Sequence, residues 1–306
     1  MGISQYIKEI GRGPRGSKPL TREQAADLFG QLLDGNVTDL EIGAFCLAMR
    51  IKGETPEEMC GFLDAAHSRM ALFPASDRPV IVLPSYNGAR KLPVLTPLLA
   101  LLLAREGLPV LLHGMRTEAR RTLASDVLLA LGVPALTAPE KIATGSVAHI
   151  ETGYLHAALA RLLKVREVVG LRNAGHSIVK RMNPCAGPAV VVTSYTHPEY
   201  YDMLQATFGA LHMTALLSRG LEGEVATDPR RTPRYDAFVA GVHQLLQEQQ
   251  PGTAADVPGL PTEIDIDTTA RYTQDVLDGR LPVPPALAQQ VEHILHLAAQ
   301  TPPHAP

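Results

Sequence analysis

Past Pro79 the chain alternates short apolar runs with longer helical stretches. The runs are "VIVL" at 80–83, "PVLLH" at 109–113, "AVVVT" at 189–193 and "MTALL" at 213–217. β-branched and leucine runs of this length, each followed by a helical segment, predict βαβ units and a mostly parallel central sheet covered by helices. The first 70 residues are punctuated differently. Thr21 with Gln24, Thr38 with Glu41 and Thr55 with Glu58 each match the capping box, in which the threonine hydroxyl and the side chain three residues on satisfy each other's backbone donors. Pro56 occupies a first helical position, and Gly35 and Gly53 stand where C-terminal caps belong. The expected architecture is therefore α/β: a small all-helical N-terminal domain over 1–72, then a larger α/β domain over 73–306. Some segments of the helical domain are expected to be shared with the α/β domain and a dimer interface. Two closing helices are expected near 268–277 and 285–299, after the exposed connector "PGTAADVPGLPTE".

Composition narrows the class. The chain has 306 residues, 45% of them hydrophobic, enough for one large domain or two unequal ones. The net charge of -3 is uneven: residues 251–306 hold seven acids against Arg271 and Arg280, leaving the first 250 residues at +2. A net-acidic chain binds nucleic acid only through a local basic surface. Cys46, Cys60 and Cys185 are odd in number and lack CxxC spacing, which argues against a disulfide framework or a zinc site. The leucine-rich run 95–112 is broken by Pro97, Arg105, Glu106 and Pro109 and cannot span a bilayer. With no apolar leader in "MGISQYIKEIGRGPRG", the expected compartment is the cytoplasm.

Several stretches carry candidate chemistry. "VLPSYNGARKLPVLTPLL", 82–99, runs strand, glycine-containing turn, helix, the order that presents backbone N–H groups to an anion. Yet Pro84 has no N–H to offer, and the turn contains no acid for a metal. "GRGPRG" at 11–16 matches a dinucleotide fingerprint by letters but follows a helical segment rather than a strand. The same segment carries Lys8, Arg12 and Arg15, either a solvated arm or one that tracks phosphates. "HGMRTEARRT" at 113–122 places Arg116, Arg120 and Arg121 after a strand; the alternatives are a polyanion site and a solvated helix paired with Glu118 and Asp126. In "RNAGHSIVKRMNP", 172–184, helical spacing puts His176 and Lys180 on one face, with Arg172 and Arg181 beside them. Glu222 and Glu224 stand two apart near Arg230, Arg231 and Arg234, a spacing for Mg²⁺ or for a solvated loop.

The order of a capped helical domain followed by "IVLPSYNGARK", "LLHGMR", "RNAGHSIVKRMNP" and "RGLEGE" resembles the anthranilate phosphoribosyltransferase fold, within the nucleoside phosphorylase/phosphoribosyltransferase class III group, over nearly the whole chain. In those enzymes the first strand ends in Gly-Thr-Gly-Gly-Asp, whose amides cradle the pyrophosphate of phosphoribosyl pyrophosphate. That motif falls here on Pro84, Ser85, Tyr86, Asn87 and Gly88. The family's Asn-Ile-Ser-Thr falls on Val94 to Pro97 and its Lys-His-Gly-Asn on Leu112, His113, Gly114 and Met115. Its metal-binding Asp-Glu pair falls near Glu222 and Gly223, with Glu224 displaced. The resemblance thus implies a degenerate donor site with no catalytic residue, cofactor or metal.

"PSYNGARK", "RIKGE" at 50–54 and "EGE" at 222–224 are more similar still to the divergent YbiB-like branch of the family. That likeness implies a homodimer binding DNA and RNA without sequence specificity, with Arg90 and Lys91 as phosphate partners and Tyr86 as a ring for base stacking. Lys180→Ala is then expected to weaken binding while leaving the fold intact. The competing expectation is a phosphoribosyl- or other glycosyltransferase with a rebuilt donor site.

Overall fold

The computed structural model describes residues 2–301 apart from Pro14, Ala119 and Ala255. Four helices come first: α1 (Ser4–Ile10), α2 (Arg22–Leu33), α3 (Asp39–Lys52) and α4 (Pro56–His67). All three capping boxes form, on α2, α3 and α4. Gly35 and Gly53 take the positive φ of +74° and +80° that ends a helix without a Cβ penalty. Phe29, Phe45 and Phe62 meet at the centre of this unit, with ring centroids 5.0 to 6.2 Å apart. The Glu58 carboxylate is fully buried. It accepts from the backbone N–H of Leu20 and Thr55 and from the Lys52 ammonium at 2.5 Å, tying the entrances of α2 and α4 to the end of α3.

The rest alternates strands and helices: β1 (Val80–Ser85), α5 (Thr96–Arg105), β2 (Val110–Gly114), α6 (Ala124–Ala130), β3 (Ala135–Leu136), β4 (Val147–Glu151), α7 (Thr152–Leu155), α8 (Ala157–Val169), α9 (Gly175–Ile178), β5 (Ala189–Tyr195), α10 (Tyr200–Ala210) and β6 (Ala215–Arg219). A hairpin of β7 (Tyr235–Val239) and β8 (Val242–Gln247) and the helices α11 (Ile266–Leu277) and α12 (Pro285–Gln300) complete it. One sheet runs β3-β4-β2-β1-β5-β6-β7-β8. Its first six strands are parallel and the last two pairings antiparallel. Period-two alternation sorts the side chains. Val80 and Val82 join the core shared with the helical unit, while Ile81 and Leu83 face α5, α11 and α12. The four predicted runs are strands β1, β2, β5 and β6, the last beginning two residues later than expected.

"GRGPRG" follows α1, so it is no dinucleotide loop. Cys46, Cys60 and Cys185 are free and buried. Among the described residues no helix is long and apolar enough to cross a membrane. The chain leaves β1 toward β2 and β4 on one side and returns to its other side at β5. That reversal places a crevice at the carboxyl ends of the strands, where open α/β sheets bind ligands.

Candidate nucleic-acid interface

At that end β1 passes into the turn of Ser85 to Gly88. Gly88 has φ +64°, and a Cβ there would come within 2.7 Å of the Thr122 carbonyl, so the tight turn requires glycine. The turn does gather donors for an anion, and the chain supplies the anion itself. The backbone N–H groups of Asn87 and Gly88 both donate to Glu224 Oε1 at 2.9 Å. The hydroxyls of Ser85 and Thr96 donate to its Oε2 at 2.6 and 3.0 Å. The next two amides, of Arg90 and Lys91, donate to Glu222 Oε2 at 2.9 Å. The other Glu222 oxygen faces the guanidinium groups of Arg90 (3.4 Å) and Arg121 (3.8 Å).

Positive φ at Glu222 and Gly223, +56° and +83°, lets the 220–224 loop dip into the turn. A Cβ on Gly223 would lie 2.2 Å from Asn87 Nδ2. The Asn87 side chain donates to the Glu222 carbonyl, and Lys180 Nζ donates to the Gly223 carbonyl at 3.0 Å. Glu222 and Glu224 therefore form neither a metal pair nor a solvated loop. They fill the cradle, and a charged acceptor on several amides is among the stronger hydrogen-bond arrangements available to a protein.

Beside the filled cradle lies an open cleft of about 650 Å³. Its walls carry Arg90, Lys91, Arg121, Arg172, Arg219 and Arg231 against the acids Glu118, Glu222 and Asp228. Glu118 is committed to Arg166 and Arg172 at 2.7 and 3.3 Å, and the Arg166 hydrogen bond holds its carboxyl below the usual range. Asp228 pairs with Arg230 at 2.9 Å. The side chains of Lys91 and Arg219 are exposed and, among the described residues, make no ion pair. The cleft is thus a concentration of cations on a net-acidic protein, where cations outnumber acids.

Several sequence expectations are corrected. Tyr86 offers no ring for stacking: it is 2% exposed, its hydroxyl meets His113 Nδ1 at 2.8 Å and Thr152 at 2.9 Å, and its ring packs on His113. His113 is buried and therefore neutral, its pKa pushed down to about 3 by desolvation. Pro84 and Leu112 are ladder residues inside the sheet, and Met115 packs against the core. Arg116, Arg120 and Arg121 do not share a helix, because α6 begins only at Ala124. Arg116 pairs with Asp126 at 2.5 Å, as the solvated alternative anticipated, and Arg120 is exposed in a turn. Only Arg121 reaches the cleft.

The stripe through Arg172, His176, Lys180 and Arg181 is also absent. α9 is a single turn, His176 and Arg181 are buried, and Lys180 is half-buried. Burial, with Arg181 close by, drops the Lys180 pKa to about 7. Lys8, Arg12 and Arg15 line no part of the cleft, and Arg12 pairs with Glu9 at 2.6 Å. Sequence reasoning missed Thr96, Arg219 and Arg231. Thr96 lies in a stretch whose letters show only a lost motif, and Arg219, at the carboxyl end of β6, is readable only once the strand's end is known.

A cation-lined cleft at the switch point of a mostly parallel sheet, joined to a helical bundle, is the architecture of the anthranilate phosphoribosyltransferase-like fold. The family model "Glycosyl transferase family, helical bundle domain" matches residues 4–70. The chain is 36% identical over 298 residues to YbiB of Escherichia coli (strain K12), covering 95% of this chain and 92% of that protein; it belongs to the YbiB family. Anthranilate phosphoribosyltransferase of Persephonella marina is 28% identical over 295 residues, covering 91% of this chain and 83% of that enzyme. Among solved structures, anthranilate phosphoribosyltransferase of Thermus thermophilus superposes with a TM-score of 0.72 at 21% identity, covering 96% of this chain and 87% of that one. The Saccharomyces cerevisiae enzyme in complex with PRPP and Mg gives 0.67 at 14% identity, covering 97% and 88%. Both are likenesses of fold.

Proposed function

We propose that the protein is a homodimer that binds DNA and RNA through their phosphates, without sequence specificity and without transferring a phosphoribosyl group. One observation carries this reading: the family's phosphate seat is filled by Glu224 and Glu222, while the adjoining cleft keeps cations free for phosphates. A donor diphosphate would have to displace two carboxylates from amide and hydroxyl donors before it could use the seat. That displacement is what counts against the rebuilt-donor alternative. A strand lying along the cleft needs only positive charge, which Lys91, Arg219 and Arg231 supply from different loops.

The homodimer has its own support on α3. Leu40, Leu47 and Ile51 are 84%, 46% and 59% exposed and, with Ala44, fall at i, i+4, i+7 and i+11 on one face. Such an apolar stripe fits burial against a second copy.

Fluorescence anisotropy across a salt series tests the reading. Affinity is expected to fall steeply with salt and to vary little between scrambled sequences. Combining Lys91→Ala with Arg219→Ala should flatten the log-log slope by about 0.9 per lost duplex contact. A slope unchanged by the double variant would remove the cleft as the site. Heat released on titrating phosphoribosyl pyrophosphate with Mg²⁺ into the parent would restore the enzyme reading.

A further inference from the structure

At the other end of the sheet from the cleft lies a second cavity of about 650 Å³, a size usual for small-molecule sites. It opens at the amino ends of β5 and β6, where Ala189, Val191 and Thr214 line it, and beside the turn 210–213 that ends α10. Arg22, Asp64 and His67 line it from the helical unit, and Asn183 from the segment before β5. Pro188, Leu211 and Met213 give it apolar surface.

The polar side chains here are half-buried and, among the described residues, incompletely paired. His67 Nε2 accepts the backbone N–H of Asn183 at 3.1 Å. A backbone amide can only donate, and burial pulls the pKa of the ring down, so the imidazole is neutral with its proton on Nδ1. Asn183 Oδ1 accepts from the Cys185 N–H at 3.2 Å, leaving Nδ2 without a partner. Arg22 holds the Asp64 carboxylate through Nε and Nη2 at 2.6 and 2.9 Å, leaving Nη1. None of these three nitrogens is sealed off from solvent. The carbonyls of Phe208 and Gly209, at the end of α10, already accept from Met213 and His212 at 3.0 and 3.2 Å. The open groups of the lining are therefore chiefly donors.

Donors without partners call for an acceptor, and Asp64 already neutralises Arg22. A single negative charge suits such a site better than the two of a phosphate monoester, and the apolar residues beside the donors suit a hydrocarbon body. We propose that this cavity binds a small organic carboxylate, its oxygens held by Arg22, His67 and Asn183 and its hydrocarbon part by Pro188, Leu211 and Met213. The ligand joins the helical unit to the α/β domain on the side remote from the cleft. The inference does not depend on what the cleft binds.

Saturation-transfer NMR at neutral pH tests it with acetate, 3-methylbutanoate, phenylacetate and the uncharged 3-methylbutanol. The two larger carboxylates are expected to take up saturation from the parent, and acetate and the alcohol much less. Arg22→Met should weaken the affinity for 3-methylbutanoate about 10-fold or more, the scale of a lost charged hydrogen bond. Leu211→Trp, which narrows the cavity without touching a donor, should abolish the transfer. Lys91→Ala combined with Arg219→Ala should leave it unchanged, which separates this cavity from the cleft. Transfer to none of the three carboxylates would overturn the site. So would equal transfer to the alcohol, full transfer in Arg22→Met, or loss of transfer in the cleft variant. The comparison of carboxylates with the alcohol uses the parent alone, so it decides the matter even where a substitution disturbs folding.

Discussion

Replacing Glu224 with alanine removes the acceptor from four donors at once: two amides and the hydroxyls of Ser85 and Thr96. Buried donors without a partner are costly, so Glu224→Ala should destabilise the fold by about 2–4 kcal/mol. The vacated seat should then accept an oxyanion. Inorganic sulfate is expected to raise the melting temperature of the variant more than that of the parent, because a ligand stabilises only the state that binds it. Equal shifts in thermal scans of the two proteins would show that the donors hold no anion without Glu224. Half of this arrangement was legible in the sequence. The turn glycine, the loss of an amide at Pro84 and the lack of an acid within the loop were all local facts. The occupant was not, since Glu224 lies 137 residues beyond Asn87 and no periodicity connects them. Tyr86 and Lys180 were misplaced for a related reason: a polar ring in a turn, or a cation placed on a helix face, looks exposed until the segments that cover it are known.

Capping boxes are statements about four consecutive residues, so helices α2, α3 and α4 were predictable to their first turn. The parallel strands announced themselves as apolar runs because both faces are covered. Strand β7 hid its nature behind Asp236, a fully buried carboxylate that accepts from Arg234, Tyr201 and His243. Strand β8 is an exposed edge with a mostly polar sequence, where burial leaves no pattern to read. Around Arg116 and Arg121 side chains engage the backbone in place of a helix: the Thr117 carbonyl accepts from Arg166 and the Arg121 carbonyl from Arg116, both at 3.1 Å. At the level of a single element, α3 makes the sharpest claim. Leu47→Glu combined with Ile51→Glu changes two exposed positions and should leave the secondary structure and melting of the protomer almost unaltered. It is expected to yield a monomer by size-exclusion chromatography with light scattering. A variant that elutes with the parent at the mass of a dimer would move the interface elsewhere.

The acidity of the whole chain conceals a cleft where cations outnumber acids, and total charge was for that reason a poor guide to the local surface. It is a better guide to the response to acid when combined with burial. His113 and His176 both titrate near 3 when folded, against 6.5 for a fully solvated ring, so the unfolded chain takes up their protons first. The stability they contribute is complete above about pH 6.5 and is lost as pH falls toward 3, at roughly 1.4 kcal/mol per pH unit for each. Urea denaturation at pH 7 and pH 5 should show a midpoint several tenths molar or more lower at pH 5; coincident curves would mean that these rings are not held neutral. The filled cradle carries a different consequence at this scale. A counter-ion tethered to its own seat is present at a local concentration set by the loop, not by solution. Free phosphates compete against that constant, so the seat, and the shape of the cleft beside it, holds as long as their concentration stays well below it.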